Sequence, residues 1–475
     1  MRLAPRALTS AAVVASVVAA VTVAGTSAAW ATGGSISDPD DARAPLDVSR
    51  VTYRDDPATL SWTIDSYGAF ADDDVSTCLL SMDGRNRQVA VAWDPGAGRL
   101  VADVETSTGA VVGPAHVVRT NATSLRLSVR RGDVGDPSSY RWFLSCLDDA
   151  DHDGRIESGE SDTVPGGSAL ATHDVSPASG VDPVRRIAGA DRYATAIAAS
   201  RAAFASTDSA RAVVLAGADG FADALSGAPL AGARGGPVLL TDPTALPSPV
   251  ESEIDRVLPA GGRVYVLGGE AAVSPAVTDR LSARGYAVRR VAGADRYATS
   301  VAVAGELGHP ATVVLADGSD FPDALSGGVA AARLRGAVLL TDGSTMPASV
   351  RTELADHRPT TRYAVGAPAA DADPGASPIV GVDRYDTARR VAARFYTDPT
   401  TVVVASGASF ADAVVGGSVA AAGNAPLLLT TPWSVPPSSF DWAVGEAVSL
   451  GSASVVGGVR AVADEVVVGL LDAMN

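Results

Sequence analysis

From residue 46 to 168, apolar and polar residues alternate in short runs: ATLSWTIDSYG, STCLLSMD, QVAVAWDP, RLVADVET, HVVRTNA, SLRLSVRR and YRWFLSCLD. A period of two sends successive side chains to opposite faces of a strand, and the intervening DDD, DGRN, PGAG and GDVGDPSS segments read as turns. Seven short strands of this kind predict a β-sandwich. Beyond Val184 the pattern changes. In the first stretch VRRIAG, ARAVVLAG, PVLLTD and RVYVLGG read as strands, and DRYATAIAASRAAF, DALSGAPLAGAR, SPVESEIDRVL and SPAVTDRLSARG as helices. Strands alternating with helices predict a parallel sheet with right-handed crossovers, and the unbroken apolar runs fit strands covered on both faces.

This second pattern recurs. VRRIAGADRYATA at Val184 returns as VRRVAGADRYATS at Val288 and SPIVGVDRYDTA at Ser377; GFADALSG at Gly220 returns as DFPDALSG at Asp320 and SFADAVVGG at Ser409. A glycine-ended run closes each copy: VYVLGG, RYAVGA and SVVGG. Repeats this long are small domains rather than solenoid turns. They span 184–287, 288–376 and 377–475, with the DRY motifs 104 and then 88 residues apart. The second copy is short because GAPAADADPGASP stands where a helix and its flanks belong, so its last helix is expected to be degraded or missing. The fold class expected is multidomain: an N-terminal β-sandwich with a calcium loop, then three tandem α/β domains with parallel sheets.

The front of the chain adds a compartment. Arg2 and Arg6 precede an uncharged run from Ala11 to Gly25, and Ala29-Trp30-Ala31 supplies small residues at the key positions of a cleavage site. Residues 1–31 therefore read as a secretory signal; the rival, an uncleaved anchor, suits this short alanine-rich run less well. Residues 32–45 read as a disordered N-terminal segment and 169–183 as a flexible linker. The only two cysteines, Cys78 and Cys146, read as a disulfide in an exported chain, with two buried thiols as the alternative. Such a bridge would contribute on the order of 4 kcal/mol by restricting the unfolded chain. No LPxTG-like sorting signal or apolar tail closes the sequence, so retention at a surface is expected to be non-covalent.

Charge narrows the partners. All 37 basic residues are arginine and the formal net charge is −17, which argues against nucleic acid, whose phosphates need a basic face. From Val184 onward 23 arginines meet 29 acidic residues, so the front section is the strongly acidic part. Trp62, Trp93 and Trp142 either form a sugar-stacking platform or, as indoles at alternating positions more often do, fill the core.

A twelve-position calcium loop follows the last front strand. Asp149, Asp151 and Asp153 stand at positions 1, 3 and 5, Gly154 at the turn, Arg155 at the carbonyl position, Glu157 at the water-mediated one and Glu160 at the bidentate one. A strand rather than a helix leads into it, so a structural calcium ion of the kind found in secreted modules is expected. The alternative is an acidic linker.

In the repeats, Asp191, Asp295 and Asp383 stand where a strand turns into a helix, the place of an N-cap. Arg192, Arg296 and Arg384 are set to pair with a carboxylate or with a bound group. Tyr193, Tyr297 and Tyr385 are expected to bury a ring and satisfy a hydroxyl at a subdomain contact. Asp223, Asp323 and Asp412 precede small residues that either allow close helix–sheet packing or expose amides to an anion. From the residues alone, both a structural and a ligand-binding role stay open for these motifs.

The series R-[IV]-A-G-x-D-R-Y-x-T, F-A-D-A-L-S-G and V-x-V-L-G-G resembles the cell wall-binding repeat type 2 family of Gram-positive surface proteins, over Val184 to Asn475. The resemblance implies three α/β domains packed as a pseudo-threefold trimer. It further implies a secreted, cell wall-associated protein that binds an anionic secondary wall polymer non-covalently and carries its front domain as cargo. The front domain resembles no family, and a protein or glycan ligand for it stays open. The short second copy and the FADAVVGG of the third put equal binding by all copies in doubt. No G-x-S-x-G elbow, H-E-x-x-H helix, P-loop or G-x-G-x-x-G fingerprint occurs, so no enzyme is expected. The alternative reading is a secreted wall-associated hydrolase with a carboxylate active site in the front domain.

Overall fold

The computed structural model describes residues 34–37, 48–55, 58–67, 77–83, 87–94, 99–106, 108–135, 137, 139–147, 161–164, 171–174, 183–220 and 222–474. The expected signal (1–31) and calcium loop (149–160) lie outside these residues. Among the described residues no helix is long and apolar enough to cross a membrane. The chain divides into two compact units: one holds the residues up to Asp182 together with Asp464–Ala473, the other runs from Pro183 to Ala463.

The front unit is built on the expected alternation. Leu60, Trp62 and Ile64 of Thr59–Ser66, and Tyr140, Trp142, Leu144 and Cys146 of Ser139–Leu147, all face the core. Trp62 and Trp142 are core residues rather than a sugar platform; the side chain of Trp93 lies outside the described set. The strands do not separate into the two sheets of a sandwich. They form one continuous antiparallel sheet that curls on itself, bringing Trp62 against Tyr140 and Tyr53 against Trp142 at ring-centroid distances of 6.0 and 5.5 Å. The eleven-residue strand Val111–Asn121 makes the continuity. Its start pairs with Arg99–Glu105 up to Pro114, and from Ala115 it pairs with Ser124–Arg130. Alternation fixes which face a residue takes but not which strands become neighbours, so sandwich and curled sheet share one sequence pattern.

Two further corrections concern the edges. The segment 32–45, expected to be disordered, contains the strand Gly34–Ser37, antiparallel to Val48–Asp55. The linker 169–183 contains Ala171–Asp174, which pairs with Ser139–Leu147 beside Ser161–Val164. An open edge presents unpaired amides and carbonyls, and the flanking chain covers them. Cys78 and Cys146 are directly opposed on neighbouring strands and bonded to each other, 68 residues apart in sequence.

The helix Asp464–Ala473 was expected to complete the third repeat, yet it packs on the front sheet. It is buried on all sides from residue 466 to 473, including Val466, Val467, Val468, Leu470 and Leu471. Arg126 donates from Nε and Nη2 to the two carboxylate oxygens of buried Asp472, each at 2.7 Å. Gly469 lets the helix approach His116, whose ring a Cβ would meet at 2.6 Å. Burial drives His116 down to about 4, against the pull of Asp472 and with Arg126 pushing the same way.

The second unit holds three four-stranded parallel sheets. The inner strand Ala212–Gly217 is apolar throughout, with Val213, Val214 and Leu215 buried, and Leu239 and Leu240 of the neighbouring strand Val238–Thr241 are buried too. One feature departs from the expected plan. The first strand of each repeat joins the sheet of the repeat before it: Ala287–Val291 pairs with Arg263–Leu267, and Ser377–Ile379 pairs with Thr361–Val365. Val184–Ile187, which opens the first repeat, pairs with Ser452–Val456 of the last. The cause is the crossover rule: the helix Pro275–Ala283 carries the chain from one strand to the neighbouring position in the same sheet, and only the following DRY helix leads away. In the second repeat that crossover survives as the six-residue helix Ala367–Ala372.

The second-motif helices, Gly227–Arg234, Pro322–Arg333 and Phe410–Gly423, pack against one another. Their small residues allow this. A Cβ on Gly232 would stand 3.5 Å from Ala421 Cβ and 3.6 Å from Ala332 Cβ, and one on Gly417 would stand 3.7 Å from Ala228 Cβ.

Candidate functional site

Strand exchange brings the recurring residues together where one repeat meets the next. Each DRY aspartate caps its helix: Asp191 accepts from Ala194 N at 2.8 Å, Asp295 from Ala298 N at 2.7 Å, and Asp383 from Tyr385 N and Asp386 N at 2.9 and 2.8 Å. Thr195, Thr299 and Thr387 each accept from the amide of the preceding motif glycine, Gly189, Gly293 and Gly381, at 3.1 Å. Arg192, Arg296 and Arg384 each donate to a carbonyl just past the next strand of the same repeat, namely Ala218, Gly318 (2.7 Å) and Gly407 (2.9 Å). Two of them also reach the preceding repeat. Arg384 Nη2 lies 3.3 Å from Asp320 Oδ2, and the Arg192 guanidinium lies 5.8 Å from the centre of the Phe410 ring.

The second-motif carboxylates approach the same junctions from the other side. Asp223, Asp323 and Asp412 lie against Gly268, Gly366 and Gly457, the closing glycines of the third motif. Those three glycines have φ of 91°, 86° and 123°, a region costly for any residue with a Cβ, and a Cβ would also strike the carboxylate. Burial raises Asp412, opposed by a hydrogen bond from Thr195 and by Arg192. Burial also lifts Asp323 to about 6; Arg384 pulls it down while Asp320 and Asp317 push it up. Asp323 Oδ1 is buried and has no hydrogen-bond partner among the described residues.

Between the second and third repeats this arrangement frames a half-open cavity of about 240 Å³, lined among others by Asp320, Asp323, Gly381, Asp383, Arg384 and Thr387. Its lining is acidic, with one guanidinium and the amino ends of the three helices that begin at Pro322, Ala367 and Arg384. Carboxylates of this kind accept from hydroxyls or hold cations, while the arginine and the helix ends favour anionic groups. The tyrosines stand apart. Tyr297 donates to Asp342 Oδ1 at 2.8 Å within its own repeat, and burial followed by Asp342 raises it to about 12. Tyr193 and Tyr385 pack against the core of the unit and are raised chiefly by burial.

Two arginines were given no role on sequence grounds. Arg290 Nη1 donates to Gly268 O at 2.8 Å, and Arg186 Nη1 donates to Gly457 O and Val462 O at 2.8 and 2.7 Å. The third copy has Pro378 at this place, and its junction is the one with the cavity just described. The signal was visible as the arginine before [IV]-A-G in two copies and its loss in the third. The candidate calcium residues Asp149, Asp151, Asp153, Arg155, Glu157 and Glu160 lie outside the described residues.

Among curated proteins the chain is similar to the N-acetylmuramoyl-L-alanine amidase LytC of Bacillus subtilis (strain 168), 26% identical over 280 residues that cover 58% of this chain and 53% of that protein. It is 29% identical to the amidase enhancer of the same organism over 264 residues, 54% of this chain and 36% of the relative. The chain thus spans about half the length of the first relative and a little over a third of the second. Among solved structures, Cwp8 from Clostridium difficile shares the fold with a TM-score of 0.56, 18% identity and 88% of each chain covered. Cwp6 from the same organism gives 0.56 at 17% identity, covering 88% of this chain and 66% of its own. The model of cell wall binding domain 2 matches residues 186–278, 290–373 and 379–467, the three copies that build the second unit. With more than half of its length accounted for in this way, the chain belongs to the cell wall binding domain 2 family.

Proposed function

We propose that the three repeats hold this protein non-covalently on the bacterial cell wall by gripping a secondary wall polymer at the junctions between repeats. One observation carries this reading: residues that recur in all three copies converge at those junctions, and at one of them they line a cavity. The acidic lining suits sugar hydroxyls as donors to Asp320 and Asp323. Anionic groups of the polymer would approach Arg384 and the helix ends, or be bridged by a divalent cation. The acidic, disulfide-bonded front unit is the displayed part, exported with the chain and stabilised by calcium in the 149–160 loop. The likeness to LytC runs over 280 residues, about the extent of the matched repeats, so it supports shared wall attachment rather than shared hydrolysis.

The test is sedimentation of the full chain with Gram-positive walls before and after secondary polymers are stripped. Binding to intact walls that is lost on stripping and weakened in Asp320→Ala supports the proposal. Equal binding to stripped walls refutes polymer recognition, and release of wall fragments by the pure protein refutes a non-enzymatic role.

A further inference from the structure

In the first repeat a fully buried glutamate ties two outer helices together. Glu253 receives Arg201 Nε at 3.0 Å from the helix Arg192–Ala203 and Arg256 Nη2 at 2.6 Å from its own helix, Ser248–Val257. Both partners carry a permanent positive charge, which a buried carboxylate requires. The second repeat keeps the glutamate and changes its company. Glu353 stands six residues after Pro347, as Glu253 stands six after Pro247, and it is buried on the helix Ala348–His357. Its two oxygens face imidazoles instead: His309 Nδ1 lies 2.7 Å from Oε1 and His357 Nδ1 lies 3.1 Å from Oε2. The rings stack with centroids 3.6 Å apart and planes 3° from parallel. Two of the chain's five histidines thus meet over one carboxylate.

We propose that His309, Glu353 and His357 form a binding site for a divalent first-row transition ion of the zinc class. Their ligand atoms all lie within 4.8 Å of one another. Two imidazole nitrogens and one carboxylate oxygen are the donor set that such ions take, whereas calcium and magnesium prefer oxygen throughout. Glu353 and His357 are four residues apart on one helical face, and His309 comes from the turn after the helix Arg296–Glu306. The ion would therefore cross-link the same pair of helices that the arginines link in the first repeat. It also supplies positive charge beside the buried carboxylate. The histidine side chains are 35% and 39% exposed, so an ion can enter and water can complete its coordination. Seating it requires the stacked rings to turn so that their nitrogens converge on the ion.

The chelator-treated full chain is titrated with Zn²⁺ and, separately, with Co²⁺. The expected result is one saturable ion per chain, visible Co²⁺ absorption bands of mixed nitrogen–oxygen coordination, and a raised thermal midpoint with Zn²⁺. His309→Gln/His357→Gln should bind at least about tenfold more weakly, while His173→Gln should match the parent and Ca²⁺ should not compete. Zinc X-ray absorption on the parent must show two imidazole ligands, a readout that holds even if a variant misfolds. Absence of saturable binding, retention of full affinity by the double variant, or fewer than two imidazoles overturns the assignment.

Discussion

Replacing Arg126 by methionine should loosen the last helix of the chain while leaving most of the front sheet intact. Arg126 is 18% exposed at its side chain and Asp472 is 0% exposed, so water screens this pair little. The substitution keeps the apolar stem of residue 126 and removes only the cation, leaving a buried carboxylate beside His116, itself held neutral by burial. Breaking a buried pair from one side costs about 3 kcal/mol or more. If that cost falls on docking of Asp464–Ala473, its amides open roughly a hundredfold more often, since each tenfold corresponds to about 1.4 kcal/mol. Hydrogen exchange followed by mass spectrometry reads this directly, with peptides from the second unit as internal reference. The double variant Arg126→Met/Asp472→Leu removes both charges and should recover most of the protection, because an apolar pair of similar volume is close to neutral in a buried site. Exchange in the single variant within threefold of the parent would refute the reasoning, as would a double variant no slower than the single one.

Acid should weaken the same region. His116 lies at about 4 in the folded unit against an ordinary 6.5, so below 6.5 the unfolded chain takes up a proton that the folded one refuses. Stability present above pH 6.5 is then lost as pH falls towards 4, by up to about 1.4 kcal/mol per unit; exchange in Val111–Asn121, corrected for intrinsic rates, should show this slope, and His116→Gln should flatten it. Calcium added to the full chain should give one binding event with a dissociation constant of about 10⁻⁴–10⁻³ M. Asp149→Asn/Asp153→Asn should abolish it in calorimetry, and an unchanged titration would assign the ion elsewhere.

Local chemistry was legible in the sequence and non-local pairing was not. The recurrence of D-R-Y placed three helix caps correctly, because an aspartate before a helix acts on amides two or three residues away. The alternation in ATLSWTIDS identified Leu60, Trp62 and Ile64 as one face of a strand, because the pleat alone decides that. Nothing local says that Val184–Ile187 pairs with a strand about 270 residues later, or that Val111–Asn121 changes partner at Pro114. The final helix was assigned to the third repeat by its position, although the unbroken run VVVGLL at 466–471 was a sign that it would be enclosed. Arg186 and Arg290 were present in the quoted motif, but their acceptors are carbonyls of the preceding copy, which become neighbours only through the exchanged strand.

The exchanged strands also bear on how this protein could have changed in evolution. Tandem duplications ordinarily gain and lose copies by unequal recombination, since each unit answers only to its neighbours. Here the strand opening the first copy completes the sheet of the last, so there is no terminal copy to add to or trim. A fourth copy added at either end would have to separate Val184–Ile187 from Ser452–Val456. Copy number is therefore constrained by backbone pairing. The two histidines around Glu353, where Glu253 has two arginines, lie outside the sheets and leave that pairing untouched.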